Sequence, residues 1–385
     1  MSRIVSVSTC SVRVPLDKPT SFATRTVTAR NYCLLKVTSD DGLVGQGFCY
    51  VGTTAGSLAR IAVAELLAPL LIGEQCTRVE GLWEELYRET LLHGRVGTVM
   101  RALSAIDIAL WDLNARSAGK PLYQYLGHSS KDRVPAYASG GYYLEGKTPQ
   151  QLGEELASYV REGFKAVKIK VGRLGLAEEE ARVRAAREAI GPDVKLMLDA
   201  NNAWTDLPTA LRFCKRYEKY DPFWIEEPFS PDDIENHSKL AERTEIPVAT
   251  GEIEAGRWRF KELLDKRAAA ILQADAAVCG GISEWRRIAQ MAAGYGVAVC
   301  PHWFHDLHSH LVASAPNGQY VEYFPDSKVL NFRKLINRQM ECVAGDLLLT
   351  QMPGLGFEFE EDVAAKYGSD NEKNWTTVNS SQRKR

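Results

Sequence analysis

Hydrophobic and polar positions fall into two rhythms along this chain. In the first 130 residues the strand rhythm comes first. Residues 3–14 alternate, and 32–38 and 44–50 read as a hairpin closed through Ser39-Asp40-Asp41-Gly42, where the Asp-Gly pair supplies the turn. Between them, 16–30 is rich in Thr, Ser and Arg and reads as a loop. Helical patterns follow: Leu103, Ile106, Leu110 and Leu113 recur at helical spacing and make one apolar face. From about residue 133 short apolar runs alternate with amphipathic segments. The runs are 134–139, 166–171, 195–201, 223–227, 247–252, 271–278, 297–302 and 319–324. Repeated β-then-α units imply parallel strands with right-handed crossovers. Eight of them over roughly 200 residues predict a closed (β/α)8-type barrel, its last unit shortened because the connection 303–318 is brief. The expected division is an α+β part over 1–130, the barrel over 131–330, and a C-terminal segment over 331–385. Strand-like pieces in 330–363 would return to the first domain, and the polar stretch from 368 onward would fray.

Composition narrows the class. Apolar residues are 45% and charged residues 25% of the 385, a globular mix that excludes general disorder. Lys plus Arg is 47 against 49 for Asp plus Glu, so no basic field exists to hold nucleic acid. The longest apolar-looking stretch, 61–72, is broken by Glu65 and Pro69 and is too short to span a bilayer. No charged n-region followed by an apolar h-region opens the chain, so no signal peptide is expected. Eight cysteines without a single C-x-x-C spacing argue against a zinc ribbon or redox pair. They read as core residues of a cytoplasmic protein.

The chemistry gathers at the strand ends, where a barrel of this type carries its active site. The second barrel strand ends in Lys168-Ile169-Lys170-Val171; with a period of two, both lysines point to one face. The third ends Asp199-Ala200-Asn201-Asn202, the fourth Glu226-Glu227-Pro228, the fifth Gly251-Glu252. Asp275 lies on the sixth, His302 on the seventh and Glu322 on the eighth. A single such residue is ordinarily a cap or an ion-pair partner; seven strands in succession are not. Asp199, Glu226 and Glu252, at separations of 27 and 26 residues, stand on neighbouring strands. Three carboxylates packed together repel unless a cation neutralises them. Hard oxygen donors suit Mg²⁺, whereas zinc would prefer the His or Cys this set lacks. Lys170, beside a cation and a second lysine, would have a depressed pKa and serve as a general base. Across the mouth, Asp275 would fix the tautomer of His302. Two bases flanking a metal suit removal of a proton alpha to a carboxylate.

These residues resemble the enolase superfamily, specifically its mandelate racemase subgroup within the mandelate racemase/muconate lactonizing enzyme family. The resemblance spans about residues 1–365. It includes the helix Met100-Arg101-Ala102-Leu103-Ser104-Ala105-Ile106-Asp107-Ile108-Ala109-Leu110-Trp111-Asp112 and the segment Pro353-Gly354-Leu355-Gly356-Phe357-Glu358. The K-x-K motif matches Lys168 and Lys170, the metal ligands match Asp199, Glu226 and Glu252, and the Asp–His dyad matches Asp275 and His302. Such a resemblance implies a modified (β/α)7β barrel, TIM-like, with an α+β capping domain. It implies one Mg²⁺ per subunit, a small-molecule carboxylate substrate, Lys or His bases, and commonly a homo-oligomer. It also implies that Lys168 holds the substrate carboxylate, that Glu322 hydrogen-bonds the developing enediolate, and that Asn201 and Glu227 lie close to substrate.

Having both Lys170 and the Asp275–His302 pair allows two reactions. The leading expectation is a Mg-dependent hydro-lyase that dehydrates a mono- or diacid sugar to a 2-keto-3-deoxy acid. The alternative is a racemase or epimerase of a 2-hydroxy acid. A non-catalytic metal-binding scaffold is disfavoured, since no base or ligand is missing. Substrate choice should rest on loop 16–30, where Arg25 or Arg30 would suit a distal carboxylate, and on Trp303 with His305 and His308 after the seventh strand. The cluster His305, His308 and His310 reads as packing rather than a second metal site. Cys279-Gly280-Gly281 reads as a tight turn rather than a phosphate cradle.

Overall fold

The computed structural model describes residues 2–128, 132–326, 329–368 and 375–383. It opens with a long antiparallel hairpin, β1 (Ile4–Ser21) and β2 (Thr26–Ser39), extended by β3 (Val44–Gly52). The region read as a loop over 16–30 is therefore mostly strand, with only 22–25 as the turn. Pairing along the hairpin overrides loop-like composition there. A register shift between Pro15 and Thr20 absorbs Pro19, which cannot donate to the ladder. The helix Thr98–Ser117 lies directly on β3. Gly45 and Gly47 permit this approach, since a Cβ at either would collide with the carbonyls of Ala109 and Ala105.

The second sheet holds eight parallel strands: β4 (Arg133–Ser139), β5 (Ala166–Lys170), β6 (Lys195–Asp199), β7 (Pro222–Glu226), β8 (Val248–Thr250), β9 (Ile271–Leu272), β10 (Ala298–Val299) and β11 (Val321–Tyr323). They pair in sequence order from β4 to β10, and β11 returns to pair with β4. The residues leading into β11 close the ring. Gln319 N–H donates to the Val299 carbonyl at 3.1 Å, and Val299 N–H donates to the Asn317 carbonyl at 3.0 Å. One helix of eight or more residues stands between each pair of successive strands, from Pro149–Arg161 to His305–Ser314. This is the expected (β/α)7β barrel, with the α+β capping domain at its mouth. The later strands are shorter than the apolar runs suggested. The run over 271–278 splits because Asp275 accepts from Ala277 N–H and caps a short helix, Ala276–Cys279. A buried apolar run does not by itself distinguish helix from strand.

The C-terminal segment divides its contacts. The hairpin β12 (Cys342–Val343) and β13 (Asp346–Leu348) pairs with β4 on the barrel. The chain then crosses to the capping domain, where β14 (Thr376–Asn379) adds an edge strand to β1. The expectation of a frayed tail is thus corrected over 375–383; 369–374 and 384–385 lie outside the described residues. Val378 is buried in that edge strand, a single apolar residue that composition does not advertise. Seven of the eight cysteines are buried and none is paired. Among the described residues no helix is long and apolar enough to cross a membrane.

Inward-facing residues sort the barrel into layers. Tyr137, Ala166, Met197, Trp224, Ala249, Ile271 and Cys300 pack together and fill its lower half. One step along the strands the inward positions change to Lys168, Lys170, Asp199, Glu226 and Glu322. Val167 and Ile169, of opposite parity, pack outward into the core under the helices. The chemistry therefore rests on a dry floor.

Candidate active site

The strand-end residues converge on one cavity of about 330 Å³ between the barrel and the capping domain. Lys170, Asn201, Glu227, Glu252, His302, Trp303 and Glu322 line it from the barrel side. Phe22, Arg25, Arg30, Tyr50 and Arg101 line it from the capping side. Beneath the cavity the charges are locked together. Lys168, only 1% exposed, donates to Glu226 at 2.7 Å, reaches Glu322 at 2.8 Å, and lies 3.6 Å from Asp199. Lys170 donates to Asp199 Oδ2 at 2.5 Å. Asn201 N–H donates to the other Asp199 oxygen at 2.9 Å, and the Trp224 indole donates to Glu226 at 3.0 Å.

His302 stands apart from the lysines. Its Nδ1 donates to Asp275 Oδ2 at 3.0 Å, and its Nε2 lies 3.5 Å from Glu252 Oε1. Burial would lower the imidazolium, but Glu252, the Asp275 hydrogen bond and Glu322 outweigh it and raise it to about 9. Asp275 is held well below the usual carboxylate range: burial opposes this, but the hydrogen bond from His302 and its charge outweigh it. His302 therefore carries its proton at neutral pH with Nδ1 fixed.

The acids on neighbouring strands behave differently. Asp199 and Glu226 are register partners in the β6–β7 pair. Burial, then the Asp199 and Glu252 carboxylates, push Glu226 up to about 8; the attraction of Lys168 offsets only part of this. Glu227 is also pushed well above its ordinary value, by burial and by Glu252, Asp199 and Glu226. Asp199 instead lies low, because Lys170 and Lys168 outweigh its burial. Lys170 departs from the depressed pKa that its sequence context suggested. Burial and Lys168 lower it, but the direct contact with Asp199, aided by Tyr142, lifts it above the usual lysine range. Asp199 is the largest of the groups that raise it, so a partner that draws Asp199 away shifts the balance toward burial and Lys168, which lower it.

Among the described residues no three His, Cys, Asp or Glu side chains converge as they stand on a metal position. Asp199 and Glu226 are turned onto the lysines, and Glu252 faces His302. The donor set still has the chemistry of a hard cation site. Its members are carboxylates on three adjacent strands, and Glu226 and Glu227 pay for that crowding in raised pKa.

Backbone geometry supports a built site. Asn201, Asn202, Glu227 and Trp303 have φ between +41° and +62°, a region that non-glycine residues seldom adopt. Each of the four stands just beyond a barrel strand. Asn201 leaves its side-chain oxygen buried without a partner, and Trp303 does the same with its indole N–H. Trp303 N–H donates to Glu322 Oε2 at 2.8 Å, tying the seventh strand end to the eighth.

Other sequence-singled residues find their places. Arg25 is exposed at the cavity rim, with its guanidinium 5.8 Å from the Phe22 ring. His305 and His308 are fully buried and do not line the cavity. His308 accepts from Ala276 N–H and donates to the Trp303 carbonyl; His310 bridges Tyr123 N–H and the Leu355 carbonyl; His305 meets Arg333. With separate partners, these three form no common site. Gly280 and Gly281 make a tight turn at φ +124° and +89°, where a Cβ on Gly281 would strike Asp107. Sequence reasoning missed Tyr142 and Arg101 on the cavity wall. Tyr142 follows the first barrel strand, whose end carries no ionisable residue, so a search for charge passed over it. Arg101 sits inside a helix motif that reads as packing.

Comparison with known proteins identifies the family. The family model described as "Mandelate racemase / muconate lactonizing enzyme, N-terminal domain" matches residues 4–127, and "Enolase C-terminal domain-like" matches 151–363. The arabinonate dehydratase of Saccharolobus solfataricus is 36% identical over 86% of this chain and 89% of its own. The L-talarate/galactarate dehydratase of Salmonella typhimurium is 36% identical over 90% of this chain and 87% of its own. A crystal structure of that dehydratase, liganded with Mg and L-lyxarohydroxamate, superposes with a TM-score of 0.90 at 31% identity, covering 98% of this chain and 95% of that one. The chain belongs to the mandelate racemase/muconate lactonizing enzyme family of the enolase superfamily.

Proposed function

We propose that this family member dehydrates an acid sugar, removing the proton alpha to its carboxylate and expelling the adjacent hydroxyl as water to leave a 2-keto-3-deoxy acid. The observation that carries the reading is that two proton-transfer groups on well-separated strands, Lys170 and the Asp275-held His302, face one cavity with Asp199, Glu226 and Glu252 between them. Lys170, as the free amine, takes the C2 proton. His302 gives the Nε2 proton to the departing C3 hydroxyl, and the enol left behind tautomerises to the ketone. Its raised pKa suits it to hold that proton. Lys168 and Glu322 position the substrate carboxylate, and Asn201 and Trp303 turn unpartnered polar groups toward substrate hydroxyls. Mg²⁺, one per subunit, is assigned to Asp199, Glu226 and Glu252; when bound it supplies positive charge that stabilises the carboxylate as it gains electron density. The relatives' named activities and the Mg named with a similar structure support this reading.

The same two bases would serve a racemase or epimerase, one removing the proton and the other returning one to the opposite face. Product analysis separates the two: dehydration yields a 2-keto acid, whereas racemisation yields only the inverted substrate. A turnover assay with Mg²⁺ over a panel of aldonates and aldarates is the test, and no keto acid from any member would sink the dehydratase reading.

A further inference from the structure

Three arginines face the cavity from the capping domain, and they differ in one respect. Arg25 is exposed at the rim. Arg101 donates to the Tyr50 carbonyl at 2.7 Å. Arg30, on β2, is 95% buried by its 5% exposure, yet its Nε has no hydrogen-bond partner. Among the described residues it makes no ion pair. Its guanidinium lies 4.2 Å from the centre of the Trp303 ring and 5.8 Å from that of Tyr50. Aromatic faces are the polar company it keeps, and they compensate a guanidinium only in part.

A buried charge without a counter-ion is costly and marks a place where a partner is meant to arrive. The acids of the cavity do not fill that role. Glu322 is held by Lys168 and Trp303 N–H, Glu252 faces His302, and Glu227 is hydrogen-bonded by the Asn202 side chain. Arg30 also belongs to the capping sheet, whereas the lysines belong to a barrel strand. A guanidinium presents paired N–H donors that match a carboxylate in two hydrogen bonds.

We propose that Arg30, backed by Trp303, receives a second carboxylate at the end of the substrate remote from the carbon that loses its proton, so that the enzyme prefers hydroxylated dicarboxylates. This rests on the acid-sugar reading above and narrows its substrate class. It also moves the distal clamp from exposed Arg25 to buried Arg30. The exposed residue would have to be immobilised on binding, whereas Arg30 is already held in place.

The test compares matched acids, such as galactarate and galactonate, using the best pair from an aldarate and aldonate panel. Dissociation constants and kcat/KM are measured for the Mg²⁺-loaded wild type, Arg30→Met, Arg30→Lys and Arg25→Met, with circular dichroism as the check on folding. The wild type should bind and turn over the diacid on the order of 10- to 100-fold better than the monoacid, the range for a charge-assisted hydrogen-bonded contact. In Arg30→Met that ratio should collapse toward one through loss of the diacid alone. Arg30→Lys should recover part of it. Equal losses for both acids in Arg30→Met would overturn the proposal, since Arg30 would then serve the shared end of the substrate. A ratio that survives in Arg30→Met and collapses in Arg25→Met would return the role to Arg25. Tighter binding of a phosphorylated aldonate than of the diacid would overturn the carboxylate assignment. A wild type that prefers monoacids overturns this proposal alone; a wild type that dehydrates no acid sugar overturns the reading beneath it as well.

Discussion

The barrel and the capping sheet show opposite faces to the same cavity. On the barrel side nearly every charge is already answered by another: Lys168 by Glu226 and Glu322, Lys170 by Asp199, His302 by Asp275. On the capping side the wall is aromatic, with Phe22 and Tyr50, and its buried cation, Arg30, leaves its Nε without a hydrogen-bond partner and makes no ion pair among the described residues. Proton transfer needs groups fixed in place and tuned by their neighbours, which a network on seven strand ends provides. Recognition needs groups whose partner is the substrate. On the proposed reading, chemistry belongs to the barrel and selectivity to the cap. Changes below the cavity should strike kcat, changes above it should alter the choice of substrate, and changes at the far edge of the cap should touch stability alone.

The largest effects are expected on the barrel. Lys170→Ala and His302→Asn should each lower kcat by roughly 10²- to 10⁴-fold, the span of a lost general acid or base, with circular dichroism unchanged. Near-normal turnover in either variant would remove that residue from the proton path. Next comes Glu252→Gln, which should weaken Mg²⁺ binding by at least about tenfold in a calorimetric titration, a carboxylate being a better hard-cation ligand than an amide. Unchanged affinity would take Glu252 out of the ligand set.

A third, smaller effect follows from His302. In the chelated protein the folded chain holds the His302 proton up to about 9, whereas an unfolded chain releases it near 6.5. The folded state binds more protons between those values. The stabilisation from the His302 contacts is thus fully present below about pH 6.5 and is lost as pH rises through about 9. The gap in melting temperature between wild type and His302→Asn should narrow over that window. Asp275→Asn should move the window downward, because it removes one of the groups that raise His302. A gap that does not vary with pH would mean that folding leaves the His302 pKa unchanged. The smallest effect is expected at the edge of the cap. Removing the chain from 375 onward deletes β14 and its pairing to β1, and should lower the melting temperature by a few degrees with kcat unchanged.

The same division governs what the sequence disclosed. The barrel site was legible because a period of two and a strand-end rule turn spacing into geometry: Lys168 and Lys170 share a face, and Asp199 and Glu226 fall opposite each other in the ladder. The cap side was less so. Whether residues 16–30 form loop or strand depends on a partner strand that composition does not reveal, and the long hairpin decided it. Arg25 and Arg30 come from the same polar stretch, but one falls in the turn and is exposed, while the other lies on β2 and is buried against Trp303. The pKa of Lys170 was misjudged for a related reason: the contact that sets its direction, to Asp199, is a side-chain choice rather than a matter of register.

The most direct test of the central claim is a turnover screen of aldonates and aldarates with Mg²⁺ in D₂O, reading 2-keto acid by mass and deuterium at C2 of recovered substrate. Dehydration on this site predicts a 2-keto-3-deoxy acid from at least one acid sugar, with aldarates ahead of their matched aldonates. Deuterium at C2 with inverted configuration and no keto acid would contradict it and make the same two bases those of a racemase or epimerase.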